Sequence, residues 1–223
     1  MSEAALDDVA PPAVDTPSDA ATRSRLYALF AAALQFPRDE IGDALADGGL
    51  YQSLDDAARA LPYRYTFVTP PPLDARALGQ AHTALFDAIT GRPRVALLEA
   101  RHEGAMPEQQ LWEELLRFYR YFGLDFSAGA ARERPDHLLT ELEFMHYLAF
   151  LEAGAPAAST DNLRRAQADF LERHLARWLP ALREALAGDA SAAPYDTLLD
   201  ALARFVGADC AYLGIAATDS PPA

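Results

Sequence analysis

Pro135-Asp136-His137-Leu138-Leu139-Thr140-Glu141-Leu142-Glu143-Phe144-Met145-His146-Tyr147-Leu148 reads as the opening of a buried helix. Leu138, Leu142, Met145 and Leu148 recur at helical spacing. Leu139, Phe144, Tyr147 and Leu151 widen the apolar face beyond one stripe, so this helix is expected to touch neighbours on several sides. Its entrance is polar. Pro135 presets a backbone angle suited to a helix start, and Asp136 either caps the free amides or sits in the first turn, where the helix dipole favours negative charge. The pair Asp136-His137 at the mouth of a greasy helix is either a cap or a recognition site.

Upstream, the loop from Leu124 to Arg134 follows a helix that Pro107 opens, Leu111, Trp112, Leu115, Phe118, Tyr119 and Phe122 line, and Gly123 closes. Before it, the segment from Gly91 to Gly104 sets an apolar centre and six charged or imidazole side chains between glycines. A helix from Asp74 to Gly91 carries Leu78, Leu85, Phe86 and Ile89. Tyr63 to Thr69 lies between prolines and reads as an extended loop. Earlier helices run from Thr22 to Pro37, from Asp39 to Gly48 and from Leu50 to Leu61, and residues 1–21, rich in Ala, Asp and Pro, are expected to be a disordered acidic tail. Downstream, the central helix ends near Gly154 and Pro156. Asp161 offers a cap for a long helix through Phe170, Leu171, His174, Leu175 and Trp178, kinked by Pro180, and Pro194 opens the last helix. The expectation is an all-α fold of roughly seven to nine helices in a single globular domain spanning 22–213, with a tail at 214–223.

With 223 residues, 51% of them hydrophobic, the chain can bury one sizeable core. Its 33 acidic and 19 basic residues give a net charge of -14, which disfavours nucleic acid or an anionic membrane as partner and favours a cationic one. All the basic residues are arginine. The absence of lysine excludes Schiff-base, phosphate-loop and kinase-type lysine chemistry. A single Cys210 allows neither an intrachain disulfide nor a thiolate metal cluster. No secretory signal and no membrane span are read, and the expected location is cytoplasmic.

Pro135-Asp136-His137-Leu138, Glu141-Leu142-Glu143-Phe144-Met145 and Phe170-Leu171-Glu172-Arg173-His174-Leu175-Ala176-Arg177-Trp178 together resemble the TorD/DmsD/NarJ-type chaperones. The likeness extends to Ser24-Arg25-Leu26-Tyr27-Ala28-Leu29-Phe30 and Ala84-Leu85-Phe86, and so covers about Thr22 to Leu213. The stretch from Leu26 to Phe36 looks most like the subgroup serving dimethylsulfide and ethylbenzene dehydrogenases. The resemblance implies a helical TorD-like architecture and a binding protein without catalytic residues or a cofactor of its own. Such proteins are cytoplasmic maturation factors for molybdenum enzymes. They recognise the twin-arginine signal peptide of the client's catalytic subunit, hold back its export and keep it open for molybdenum cofactor insertion. A monomer is expected, with helix exchange through the Tyr63 to Leu73 connector as the route to a dimer.

Carried onto this chain, the resemblance assigns leader binding to Asp136 and His137, with Pro135 setting the turn, and adds His82, Leu85 and Phe86, then Leu98 and Glu99. Some relatives carry Trp where this chain has His82. The chemistry agrees, because a leader of paired arginines and an apolar run needs carboxylates beside a greasy groove. Blander readings exist for each residue: a cap for Asp136, a bond to Glu141 for His137, a solvated loop acid near Arg94 or Arg101 for Glu99, and core packing for Leu85, Phe86, His174 and Trp178. A rival from another class is a di-iron enzyme, since Glu99-x-x-His102 and Glu143-x-x-His146 have the spacing of helical carboxylate-histidine ligands. No nucleophile elbow is present.

Overall fold

A computed structural model of the chain describes residues 18–87, 93–102, 104, 106–125, 134–187 and 192–214. Among these residues the chain forms nine α-helices: α1 (Asp19–Leu34), α2 (Asp39–Ala46), α3 (Gly49–Arg59), α4 (Ala75–Phe86), α5 (Glu108–Tyr121), α6 (Leu138–Gly154), α7 (Ala157–Arg173), α8 (Leu175–Leu186) and α9 (Tyr195–Tyr212). A single 3-10 turn, Glu99–Arg101, precedes α5. The described residues contain no strand, only an isolated antiparallel bridge between Leu98 and His137. The all-α expectation therefore holds. Most of the two expected tails, the end of the Asp74 to Gly91 helix and most of the loop before Arg134 lie outside the described residues.

The quoted stretch is the centre of the molecule. Leu138, Leu142, Met145 and Leu148 are fully buried, as are Phe144 and Ala149 on other faces of α6. A helix that is apolar all round must be enclosed, and α6 packs along α1 and against α7. From α5, Tyr119 sets its ring 4.8 Å from Phe144, and Phe170 of α7 meets the same ring at 4.8 Å. The α8 and α9 helices close the far side, and α2, α3 and α4 flank α1.

One polar hub lies inside this core. The fully buried Arg23 guanidinium donates to both oxygens of Asp209, to Glu152 at 2.9 Å and to Gln167 at 2.7 Å. The hydroxyls of Tyr27 and Tyr63 donate to Asp209 at 2.7 and 2.8 Å. Four helices and the 63–73 connector thus share one charge-assisted network, in which the buried cation faces two buried carboxylates.

Two boundaries differ from the sequence expectation. The first helix begins at Asp19 rather than near Thr22, because the Ser18 hydroxyl accepts the Ala21 N–H at 3.2 Å and Ala20 is already buried. The long helix expected from Asp161 starts at Ala157 and breaks at His174, whose φ of -122° and ψ of -100° leave the helical region. Pro180 lies inside α8 without ending it. The break frees His174 to turn its imidazole towards Glu99, a partner that spacing along one helix does not reveal.

Candidate functional site: a groove at the head of the central helix

Residues 93–102 lie across the start of α6 and are tied there by backbone bonds. The Glu99 N–H donates to the Asp136 carbonyl and the Leu138 N–H to the Leu97 carbonyl, both at 2.9 Å. The Val95 N–H bonds the Leu85 carbonyl at 2.9 Å, joining the same segment to the end of α4. Between these elements opens a groove of about 600 Å³, walled by Leu34, Phe36, His82, Phe86, Leu97, Leu98 and Leu139, with Arg134 and His137 at its polar end. An adjoining depression of about 720 Å³ shares Phe36 and Leu139 and is rimmed by Asp39, Glu40 and Glu143, with Arg38 laid over the Phe36 ring. Gly42 lets the turn at Pro37 lie close over the start of α2, since a Cβ at that position would stand 2.9 Å from the Pro37 carbonyl oxygen. The apolar wall therefore runs directly into an acidic rim.

Four of the eight residues named from sequence, His82, Phe86, Leu98 and His137, line this groove. Leu85 is 1% exposed and belongs to the core. Pro135 is buried, and its carbonyl accepts the Tyr119 hydroxyl at 2.8 Å. Asp136 is fully buried and is not the cap: His137 holds that position, its Nδ1 accepting the Leu139 N–H at 3.2 Å. The Asp136 carboxylate accepts from Arg134 Nε at 2.9 Å, from Arg134 Nη2 at 3.0 Å and from the Ala100 N–H at 3.3 Å. It thus holds the 3-10 turn against the head of α6.

His82 behaves as an apolar residue. Its Nε2 lies 3.3 Å from the Leu34 carbonyl, so Nε2 carries the proton, and its ring stands edge-on to Phe36, Phe86 and Tyr195 at 5.0 to 5.6 Å. Burial pushes the imidazole below its ordinary pKa and keeps it neutral.

Behind the groove wall lies a buried acid layer. Glu99 is fully buried rather than solvated, and its carboxylate meets His174 Nδ1 at 3.0 Å instead of an arginine. Glu141, also fully buried, accepts the Trp178 indole N–H at 3.0 Å through Oε2, while Oε1 has no donor. Burial raises the Glu141 carboxyl well above the ordinary carboxylate range, and the neighbouring Glu99 adds to the rise. The neutral acid, which brings its own O–H, is the form this site favours. His174 and Trp178 are therefore partners of buried acids rather than packing alone.

The two Glu-x-x-His pairs do not converge. His102 Nε2 bonds the Ala96 carbonyl at 2.7 Å and its ring stacks on Trp178, while His146 Nδ1 bonds Ser24 and Glu143 stands at the exposed rim. Among the described residues no group of three His, Cys, Asp or Glu side chains is placed to hold a metal ion. The rival di-iron reading is not supported, because these side chains lie against different elements.

Arg134 was not among the residues that the sequence singled out. The signal was present in Arg134-Pro135-Asp136, where a short charged pair straddles a proline. Phe36, Leu97 and Leu139 were not singled out as groove residues, because apolar groove and core residues look alike in sequence.

The described residues thus form an all-helical body whose central helix begins beside an apolar groove with an acidic rim. The nitrate reductase delta subunit model matches residues 44–184. The perchlorate reductase assembly chaperone protein of Dechloromonas aromatica is 35% identical over 196 residues, 83% of this chain and 87% of that protein. The dimethyl sulfide dehydrogenase assembly chaperone protein of Rhodovulum sulfidophilum is 37% identical over 201 residues, 85% of this chain and 80% of that protein. The selenate reductase assembly chaperone protein of Thauera selenatis is 39% identical over 135 residues, 59% of this chain and 69% of that protein. The chain belongs to the nitrate reductase delta subunit family, whose matched members are redox-enzyme assembly chaperones and not catalysts.

Proposed function

We propose that this protein is a cytoplasmic chaperone for the catalytic subunit of a molybdoenzyme and that it receives the subunit's twin-arginine leader in the groove at the head of α6. The observation that carries this reading is the continuity of the wall formed by Phe36, Phe86, Leu97, Leu98 and Leu139 with the acids Asp39, Glu40 and Glu143. An apolar run following paired arginines matches that order of surfaces. His137 lies at the polar end, the buried Asp136 acts there through Arg134, and Glu99 serves from behind by holding the 3-10 turn through His174 and its own backbone. In this role the leader is retained while the client takes up its molybdenum cofactor, and the chaperone itself needs no cofactor.

Calorimetric titration with a synthetic peptide of two adjacent arginines and an apolar run tests the proposal. Saturable one-to-one binding is expected, weakened about tenfold or more when both arginines become glutamine and weakened again by added salt, because partly exposed ion pairs are screened. Equal affinity for the two peptides would remove the leader reading. Leu98→Glu is a second arm: binding that survives a charge in the wall would place the leader elsewhere.

A further inference from the structure

The polar end of the groove already contains an arginine. Arg134 grips Asp136 with two parallel bonds, Nε to Oδ1 at 2.9 Å and Nη2 to Oδ2 at 3.0 Å, and Nη2 also reaches Glu108 at 2.8 Å. Its guanidinium carbon lies 4.7 Å from the centre of the Trp112 ring. A planar fork on a carboxylate, a second acid at its edge and an aromatic face beneath form a complete receptor for a guanidinium, whichever chain supplies it.

The backbone of Arg134 does not depend on this grip. Its carbonyl accepts the His137 N–H at 3.1 Å and the Thr140 hydroxyl at 3.2 Å, so the side chain can leave without displacing the chain that carries it. The side chain is 28% exposed, whereas the Asp136 carboxylate beneath it has no exposure at all. Arg134 is thus the part-exposed group bound directly to the buried carboxylate.

We propose that Asp136, Glu108 and Trp112 form a guanidinium receptor held at rest by the chain's own Arg134, and that one arginine of the bound leader takes its place. The proposal rests on the leader reading of the groove. It assigns Arg134 as an internal competitor that sets the affinity threshold for arginine-bearing peptides. Of the charged groups around the receptor, Asp136 and Glu108 accept from Arg134, Arg101 stands at the edge 3.9 Å from Glu108, and the buried Glu141 lies behind.

The test compares the twin-arginine peptide and its glutamine version on the wild type, on Arg134→Gln and on Arg134→Lys, with N-acetylarginine amide as a second probe. Removing the competitor is expected to tighten the twin-arginine peptide about tenfold, with a smaller gain for the lysine variant, which keeps charge but loses the fork. The glutamine peptide gains nothing. Millimolar N-acetylarginine amide is expected to raise the melting temperature of Arg134→Gln and to leave the wild type unmoved. Equal or weaker twin-arginine binding to a folded Arg134→Gln or Arg134→Lys overturns the exchange while the leader reading stands. If the peptide binds none of the three proteins but the amide still stabilises Arg134→Gln, the leader reading falls and takes the exchange with it. Should Arg134→Gln not fold, the lysine variant alone decides by the direction of its affinity change.

Discussion

Replacing Arg23 by methionine puts the largest structural wager on the core. Methionine fills much of the same volume but leaves Asp209 and Glu152 without their shared cation, in a site where the carboxylate of Asp209 is fully buried. Removing one partner of a buried ion pair costs about 3–5 kcal/mol, since the remaining charge is left uncompensated. Here the damage is cushioned, because Asp209 keeps the Tyr27 and Tyr63 hydroxyls and Glu152 keeps Arg164 and Gln167. The expected loss is therefore about 3 kcal/mol, at the lower end of that range. In urea, with a slope of about 2 kcal/mol per molar, the unfolding midpoint would fall by about 1.5 M. Adding Asp209→Asn should restore part of the loss, because an amide between two tyrosine hydroxyls carries no charge to strand. Arg59→Ala is the control: its ion pairs with Asp55 and Asp56 are on the surface, and its removal should cost under about 0.5 kcal/mol. A midpoint for Arg23→Met within error of the Arg59→Ala control would refute the view that the hub holds the helices together, as would a double variant weaker than the single by a further 3 kcal/mol or so.

Glu141→Gln should stabilise the protein increasingly as pH rises. A carboxyl whose folded pKa is raised contributes its stability below the ordinary carboxylate range and loses it as pH climbs through the folded value, whereas glutamine keeps the Trp178 bond without ionising; thermal melts between about pH 5 and pH 8 would show the gap widening with pH, and a constant gap would contradict it. His82 has the opposite sign, because its folded pKa is lowered: its stability is full above about pH 6.5 and is lost as pH falls, so His82→Phe should flatten the acid side of the melting profile. Phe86→Ala removes a half-buried groove wall, and peptide titration should show affinity falling about tenfold while the melting temperature drops by only a few degrees.

The helices were legible because each carries its own signals. Apolar spacing marked α6, glycine or proline marked most ends, and the absence of alternating runs excluded a sheet. The groove was half legible. His137, Leu98, His82 and Phe86 were reached through motif likeness, and the structure gathers them because residues 93–102 fold back on the head of α6. The polar interior was not legible. Arg23 and Asp209 are 186 positions apart, and Glu99 and His174 are 75 apart, so no local pattern pairs them. A buried charge in a helix has no periodic signature, because hydrophobic spacing records only which residues leave water and not which polar ones go with them. The same limit explains why a cap stood as the alternative reading of Asp136: from sequence its nearest unsatisfied groups are the amides of α6, whereas in space they are Arg134 and the Ala100 N–H.

The exchange at Asp136 has an electrostatic logic that simple addition lacks. A leader guanidinium arriving beside a seated Arg134 would place two cations over one buried carboxylate, with only Glu108 to share. Replacement leaves the local charge unchanged. That neutrality matters because burial, with Glu99 beside it, raises the Glu141 carboxyl behind Asp136 well above the ordinary carboxylate range. A net gain of positive charge at Asp136 would favour ionisation of Glu141 and disturb the layer that holds residues 93–102 in place. Under the proposed exchange the signal of an occupied groove would pass to the displaced Arg134 side chain, and the charge beside the buried acids would stay as it is.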